Sequence, residues 1–315
     1  MSVRLPVFVL TGPTGAGKTD CALRLAGSAA VEIISVDSAL VYRGLDIGTA
    51  KPARELRARI PHHLIDICEP TESYSAGRFV ADALRSIAEI HARRRVPLLV
   101  GGTMLYLRAL VHGLAALPQA APELRAAIDA RAARQGWPAL HAQLEELDPQ
   151  AAARISANDS QRIQRALEVC YIAGRPISEL QQATVGALGA WPLRYWVLAP
   201  RERSVLHERL ERRFMGMMAA GLLEELVGLR ARGDLSARHP SMRAVGYRQL
   251  WAHLEGECGL AEAVRRAVAA TRQLAKRQLT WARREPLASW IDAQSDAAML
   301  SWNRDICHEL GVLGI

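Results

Sequence analysis

The stretch that most constrains this 315-residue chain is Gly12-Pro13-Thr14-Gly15-Ala16-Gly17-Lys18-Thr19. It is a full G-x-x-x-x-G-K-[ST] pattern, preceded by the apolar residues 7–10 and followed by a helix-forming stretch over 20–26, so strand, loop and helix come in the order the pattern requires. Glycines let the backbone curl until its N–H groups point inward at phosphate oxygens. The helix that follows adds the positive end of its dipole. Gly12, Thr14, Gly15, Ala16, Gly17, Lys18 and Thr19 are therefore the candidate phosphate-binding residues. Lys18 would bond a phosphate oxygen as a point charge, and the Thr19 hydroxyl is the candidate ligand of a Mg²⁺ ion. The pattern is that of ATP-binding loops, but what it specifies is a polyphosphate, and a diphosphate ester fits the same cradle.

The surrounding sequence supplies the rest of such a fold. Strands are expected at 31–36, 63–67 and 96–100, and a helix at 78–93. Continuous apolar strands alternating with helices imply a parallel sheet covered on both faces. From about residue 117 the texture becomes all-helical, with helices expected at 122–134, 138–147 and 160–173 and turns at Gly136-Trp137-Pro138, Asp148-Pro149 and Gly174-Arg175-Pro176. A strand returns at 193–198, and long helices follow from about 204. The expected class is α/β: a parallel sheet flanked by helices (residues 1–116 and 190–315), with an all-helical insertion (117–189) and a helical C-terminal part.

Half of the residues are apolar, enough for a substantial core. The longest apolar runs are far too short to cross a bilayer, so no membrane segment is expected, and no signal peptide is evident. Five cysteines without C-x-x-C spacing argue against a disulfide framework and a zinc site, and fit a reduced, cytoplasmic protein. The adjacent His62 and His63 would point to opposite faces of a strand and make a poor metal clamp. A monomer is expected. The formal charge is +8, carried almost wholly by arginine, since only Lys18, Lys51 and Lys276 are lysines. The segments 1–118, 119–190 and 191–315 carry +4, −1 and +5, so an anion-binding surface belongs to the sheet and the C-terminal part rather than to the insertion.

One absence narrows the chemistry. Nucleotide hydrolases and kinases of this type hold their Mg²⁺ with a carboxylate after an apolar strand. The strand at 96–100 runs instead into Gly101-Gly102-Thr103, and only the strand at 31–36 ends directly on an acid, Asp37. Asp37 has three possible roles: metal ligand, general base beside the phosphates, or cap of the turn it opens.

Taken with the loop at 12–19, six further segments resemble the bacterial tRNA dimethylallyltransferase family: 37–52 (beginning Asp37-Ser38-Ala39-Leu40-Val41-Tyr42), 61–66, 101–106, 158–168, 243–248 and 271–281. The block at 37–52 and Lys276-Arg277-Gln278 are far more specific than the loop alone. The resemblance implies transfer of a dimethylallyl group from dimethylallyl diphosphate to N6 of the adenosine immediately 3′ of the anticodon, with the tRNA anticodon stem-loop as partner. It favours the base role for Asp37, adds Thr103 and Arg125 near the reacting centre, and makes Arg165 a diphosphate clamp. Candidate tRNA contacts are Asp37, Ser38, Ala39, Leu40, Gln161, Arg162, Ile163, Gln164, Arg165, Arg243, Ala244, Val245, Gly246, Tyr247, Arg248, Arg272, Lys276 and Arg277. Leu40 stands where many family members carry Gln, so a base read at that point would need another group.

Two other readings compete. A small-molecule or nucleotide kinase shares the core pattern, because fold does not dictate function, but lacks the carboxylate after 96–100. A non-catalytic RNA-binding module would need a degenerate loop, and Gly12, Gly17, Lys18 and Thr19 are all intact.

Overall fold

The computed structural model describes residues 4–181, 185–189 and 191–315. The elements run β1 (Val7–Thr11), α1 (Lys18–Ser28), β2 (Val31–Val36), α2 (Arg54–Arg59), β3 (His62–His63), α3 (Ala76–Ala92), β4 (Val96–Gly101), α4 (Met104–His112), α5 (Pro122–Gln135), α6 (Trp137–Leu147), α7 (Pro149–Ala152), α8 (Ser160–Ala173), α9 (Ile177–Leu180), β5 (Leu193–Ala199), α10 (Arg203–Ala219), α11 (Leu222–Ala231), α12 (Tyr247–Leu254), α13 (Leu260–Ala282), β6 (Ala288–Asp292) and α14 (Asp296–Val312). A single 3₁₀ turn, Ser241–Arg243, precedes α12. None of these helices is long and apolar enough to cross a membrane.

Two compact units result: residues 4–109 with 188–315, and residues 110–187. The expected junction at 117 lies seven residues inside the second unit, because the chain passes from one to the other within α4.

In the first unit the strands form one sheet in the order β3-β2-β4-β1-β5-β6, parallel throughout, with Val9 in register with Leu99 on one side and Tyr195 on the other. This is the expected α/β class. β1, β2 and β4 are buried along their whole length, which requires cover on both faces. On one face Phe8, Leu10, Ile33 and Leu98 pack with Cys21 and Leu25 of α1 and with Trp302, Ile306 and Leu310 of α14. α3 packs against β2 and β4 with Phe79, Ala83, Ile87 and Ile90 buried. Glu32, a charge within β2, is tolerated because Arg93 and His63 hold its carboxylate at 2.8 and 2.7 Å.

Two sequence expectations change. The strand expected at 63–67 is only His62–His63. Leu64 and Asp66 adopt φ of 63° and 56°, which breaks the pleat, and Asp66 instead receives hydrogen bonds from Lys51 and, at 2.8 Å, Arg57. The C-terminal part is not purely helical, since Ala288–Asp292 adds β6 at the sheet edge. Its Ser289 and Trp290 are exposed, so it lacks the continuous apolar signature of the inner strands.

The second unit is helical, with Ile128, Leu140, Leu144, Ile163 and Leu167 in its core. Asp148 is buried inside it and accepts from the amides of Ala151 (2.9 Å) and Ser178 (2.8 Å) and from the Ser178 hydroxyl (2.7 Å), tying α7 to α9. Burial alone would push its carboxyl up, but these donors hold it below the usual carboxylate range. Asp148→Ala should therefore destabilise the protein by about 3 kcal/mol near neutral pH. Because the folded-state pKa is depressed, this contribution is complete above pH ~4 and is lost as pH falls through that depressed value. Urea unfolding of both proteins should show the gap shrinking below pH ~4.

Candidate active site

The phosphate loop, Asp37 and Gly101-Gly102-Thr103 all follow the C-terminal ends of neighbouring parallel strands β1, β2 and β4, the usual place for a site in an open α/β sheet. The loop sits very close to β5. A Cβ on Gly12, whose φ is 143°, would lie 2.0 Å from the Leu198 carbonyl oxygen, so only glycine serves there. Lys18 opens α1 and folds back, its Nζ donating to the carbonyls of Gly12 (2.9 Å) and Pro13 (2.8 Å). Burial lowers its ammonium pKa to about 8; Asp37 opposes the shift and Arg213 adds to it. Thr19 is exposed at the start of the same helix. Its hydroxyl makes no hydrogen bond among the described residues, which suits a Mg²⁺ ion held largely by substrate oxygens and water. No cluster of three or more His, Cys, Asp or Glu side chains is placed to hold a metal among the described residues.

A cleft of about 450 Å³ opens beside the loop. Thr14, Asp37, Ser38, Ala39, Thr103, Arg243, Ala244, Val245 and Arg277, all singled out from the sequence, line it together. One Asp37 oxygen accepts from the amides of Ala39 (2.8 Å) and Leu40 (3.2 Å), so the capping role is real. It occupies only Oδ1, and Oδ2 accepts no hydrogen bond from a described residue. The Thr103 hydroxyl accepts from the Ser38 amide at 3.0 Å, which fastens the end of β4 to the turn after β2. The other wall is apolar, built from Leu210, Phe214, Met217, Leu274 and Trp281.

Three supporting residues escape a sequence reading. Gln278 of α13 accepts from the Thr14 amide (2.8 Å) and donates to the Gly102 carbonyl (2.9 Å), joining the phosphate loop to the loop after β4. It belonged to a recognisable block, but nothing in the spacing shows that its side chain faces the loop. Arg213 reaches the cleft from α10, where desolvation lowers its guanidinium pKa and Asp37 and Asp20 raise it. Glu225 of α11 accepts from the amides of Asp46 (2.9 Å), Ile47 (2.7 Å) and Gly48 (3.3 Å) and from the Tyr247 hydroxyl (2.5 Å). A first-turn glutamate reads from sequence as a helix-dipole residue; here it is the anchor of the segment bordering the cleft.

Several expected RNA contacts are corrected. Tyr247 is fully buried, with its hydroxyl on Glu225 and its ring against Gly48, where a Cβ would come within 2.6 Å of it. It supports the 45–49 segment and cannot stack on a base. Gly246 is buried beside it. Ile163 is buried in the core of the helical unit. Lys51, not among the expected contacts, is structural, donating to the Tyr42 carbonyl and pairing with Asp46 and Asp66. Three others are not corrected: Arg248 is exposed, Arg272 is half-buried and pairs with Glu211 at 2.7 Å, and Lys276 is exposed on another face of α13.

Within the helical unit, Arg125 and Arg165 share one carboxylate. Glu168 is buried and receives Arg125 Nε (2.8 Å) and Nη2 (3.0 Å), Arg165 Nη1 (2.5 Å) and the Ala121 amide (2.8 Å). Gln161 and Arg162 are exposed on α8, and Gln164 donates to Asp129 at 2.6 Å.

The IPP transferase family model matches residues 40–285, and an isopentenyl transferase model matches residues 5–65. The chain belongs to the IPP transferase family. It is 57% identical over 294 residues to a tRNA dimethylallyltransferase of Bordetella petrii, covering 93% of this chain and 94% of that protein. It is 54% identical over 305 residues to the Nitrosococcus oceani protein of the same name, with 96% and 97% covered. A tRNA isopentenylpyrophosphate transferase of Bacillus halodurans superposes with a TM-score of 0.72 at 36% identity, covering 99% of this chain and 98% of that one. A eukaryotic dimethylallyltransferase acting on tRNA gives 0.77 at 26% identity, with 96% and 77% covered.

If Glu225 anchors the segment as its geometry indicates, Glu225→Ala should speed amide hydrogen exchange at Asp46, Ile47 and Gly48 by tenfold or more, about the worth of a charge-assisted hydrogen bond. Unchanged protection at these amides would remove Glu225 from that role.

Proposed function

We propose that this protein transfers a dimethylallyl group from dimethylallyl diphosphate to N6 of the adenosine next to the anticodon, on its 3′ side, in tRNA. The observation that carries the reading is the two-sided cleft: a phosphate-binding loop at one side and an apolar wall of Leu210, Phe214, Met217 and Leu274 at the other. A diphosphate ester of a short hydrocarbon has that same polarity. A nucleoside triphosphate would not call for the apolar wall, and neither Gly101 nor Gly102 supplies the carboxylate a kinase would need.

The chemistry follows from the groups present. The lone pair of adenine N6 is delocalised into the ring, so N6 needs to lose a proton as it attacks. In the step, N6 forms a bond to C1 of the dimethylallyl group, the C1–O bond breaks, its electron pair leaves with diphosphate, and the N6 proton passes to the Asp37 carboxylate. With Oδ1 held by two amides, Oδ2 is the acceptor. Negative charge grows on the departing oxygens, and Arg213 on the cleft, with Lys18 and the amides of the phosphate loop, would stabilise it. Mg²⁺, held by Thr19 and the diphosphate, would neutralise part of the same charge. The apolar wall excludes water that would otherwise capture the reactive carbon. An anticodon-loop adenine can reach such a recess by leaving its stack, and Ser38, Ala39, Arg243 and Arg277 are placed on the cleft to meet the flipped nucleotide. Action as a monomer in the cytoplasm belongs to the same proposal, and the five cysteines are free thiols.

Purified protein given dimethylallyl diphosphate, Mg²⁺ and unmodified tRNA should add one five-carbon unit to an anticodon-loop adenosine, detected by mass spectrometry of nuclease digests. Phosphorylation of a nucleoside monophosphate from ATP, without prenylation, would reverse the reading. Asp37→Ala should lower kcat by 10²-fold or more, the usual worth of a general base, while tRNA still binds in a filter assay.

The ammonium of Lys18 is charged below its pKa of about 8 and neutral above it. Accordingly, kcat/KM for dimethylallyl diphosphate, which reports the free enzyme, should fall as pH rises through about 8. A flat profile to pH 9.5 would show that Lys18 does not hold the diphosphate through its charge.

A further inference from the structure

A second cavity, of about 380 Å³, lies at the ends of β5 and β6 and is not used by the reaction above. Helix α13 separates the two. Leu274, Arg277, Gln278 and Trp281 face the catalytic cleft, whereas Lys276, Thr280 and Arg283 line the second cavity. Each set repeats at three or four residues, and the two are offset by two residues, or about 200° around the helix. The second cavity is therefore a separate site on the opposite face of α13.

Its lining has a marked chemistry. Arg201, Arg203, Lys276 and Arg283 converge on it, against a single carboxylate, Asp292. Arg201 takes that carboxylate at 3.0 Å. Arg203, Lys276 and Arg283 have no ion-pair partner among the described residues, so three cations are left to one small volume. Beside them stands Trp290 of edge strand β6, 49% exposed, with no aromatic ring or cation stacked on it among the described residues. Arg203 also begins the 17-residue α10, whose first amides add to the positive potential at that wall. The three cations are exposed and cost little to gather in water, but they leave a positive surface beside a half-exposed indole. One kind of ligand engages both features, an anion joined to a flat aromatic ring.

We propose that this cavity is a second nucleotide site, in which Arg203, Lys276 and Arg283 hold a phosphate and the base stacks on Trp290. Such stacking with cationic tracking of the backbone is how single-stranded nucleic acid is held without sequence preference. The same unit is offered by an unpaired nucleotide of an RNA strand and by a free mononucleotide, and the test separates them.

The chain holds seven tryptophans, so ¹⁵N labelling of the indoles gives a small set of signals, and Trp290→Phe assigns the relevant one by its loss. The full chain carrying Lys18→Ala, which disables the catalytic phosphate loop, is titrated with adenosine 5′-monophosphate and, separately, with a single-stranded RNA hexamer. A saturable shift of the Trp290 indole signal is expected, with Arg283→Ala weakening binding about tenfold, the worth of one charge-assisted hydrogen bond. A response to the hexamer alone supports the site with an RNA strand as its source, and a response to the mononucleotide alone supports it with free nucleotide. No shift of the Trp290 signal with either probe, or equal affinity in the Arg283→Ala variant, overturns the proposal. The thermal unfolding of Arg283→Ala, an exposed side chain, serves as the check that the fold is kept.

Discussion

The candidate cleft depends on one buried side-chain amide. Gln278, on a helix more than 260 residues beyond the phosphate loop, takes the Thr14 amide and gives its own NH to Gly102. Lys18 holds the curve of the phosphate loop from within, and the Gln278 bridge adds the hydrogen bonds that tie it to the loop after β4. The bond is polar and largely shielded from water, so losing one partner strands the other at the cost of an unsatisfied buried group. The phosphate cradle is therefore a product of α13 as much as of its own glycines.

The segment after β2 is held by the same principle with charges. Asp37 fastens the turn from within through the amides of Ala39 and Leu40. Glu225 grips three successive amides from outside, and Lys51, nearly inaccessible, joins the Tyr42 carbonyl to Asp46 and Asp66. Each is a charged group whose hydrogen bonds go to backbone or to an opposite charge, the condition under which burying it is tolerable. The outcome is that one oxygen of Asp37 is committed to structure while the other faces the cleft. The capping role is thus filled by one oxygen, and the other is left for the proposed role as base.

Legibility followed chemistry closely and contact poorly. The loop at 12–19, the inner strands and Asp37 could be read because each carries a local signature: glycines in a fixed spacing, unbroken apolar runs, an acid at a strand end. The edge strand β6 could not, since an edge exposes Ser289 and Trp290 and so loses the pattern that marks buried strands. Tyr247 looked like an RNA reader because an aromatic beside an arginine often is one; only packing against Gly48 and Glu225 shows it turned inward. Arg125 and Arg165, forty residues apart, give no hint in sequence that they share Glu168.

The sequence by itself determined that this chain carries a phosphate-loop pattern between a strand and a helix, that it builds a parallel α/β sheet with a helical insertion, and which family's motifs it carries. Each of these rests on interactions between near neighbours or on periodicity along one element. Tertiary structure decided which face of α13 meets the phosphate loop, which aromatic and acidic side chains support rather than touch a ligand, and where cations are left without partners. Those outcomes depend on the approach of residues far apart in the chain, and the side-chain directions that settle them exist only once the elements have packed.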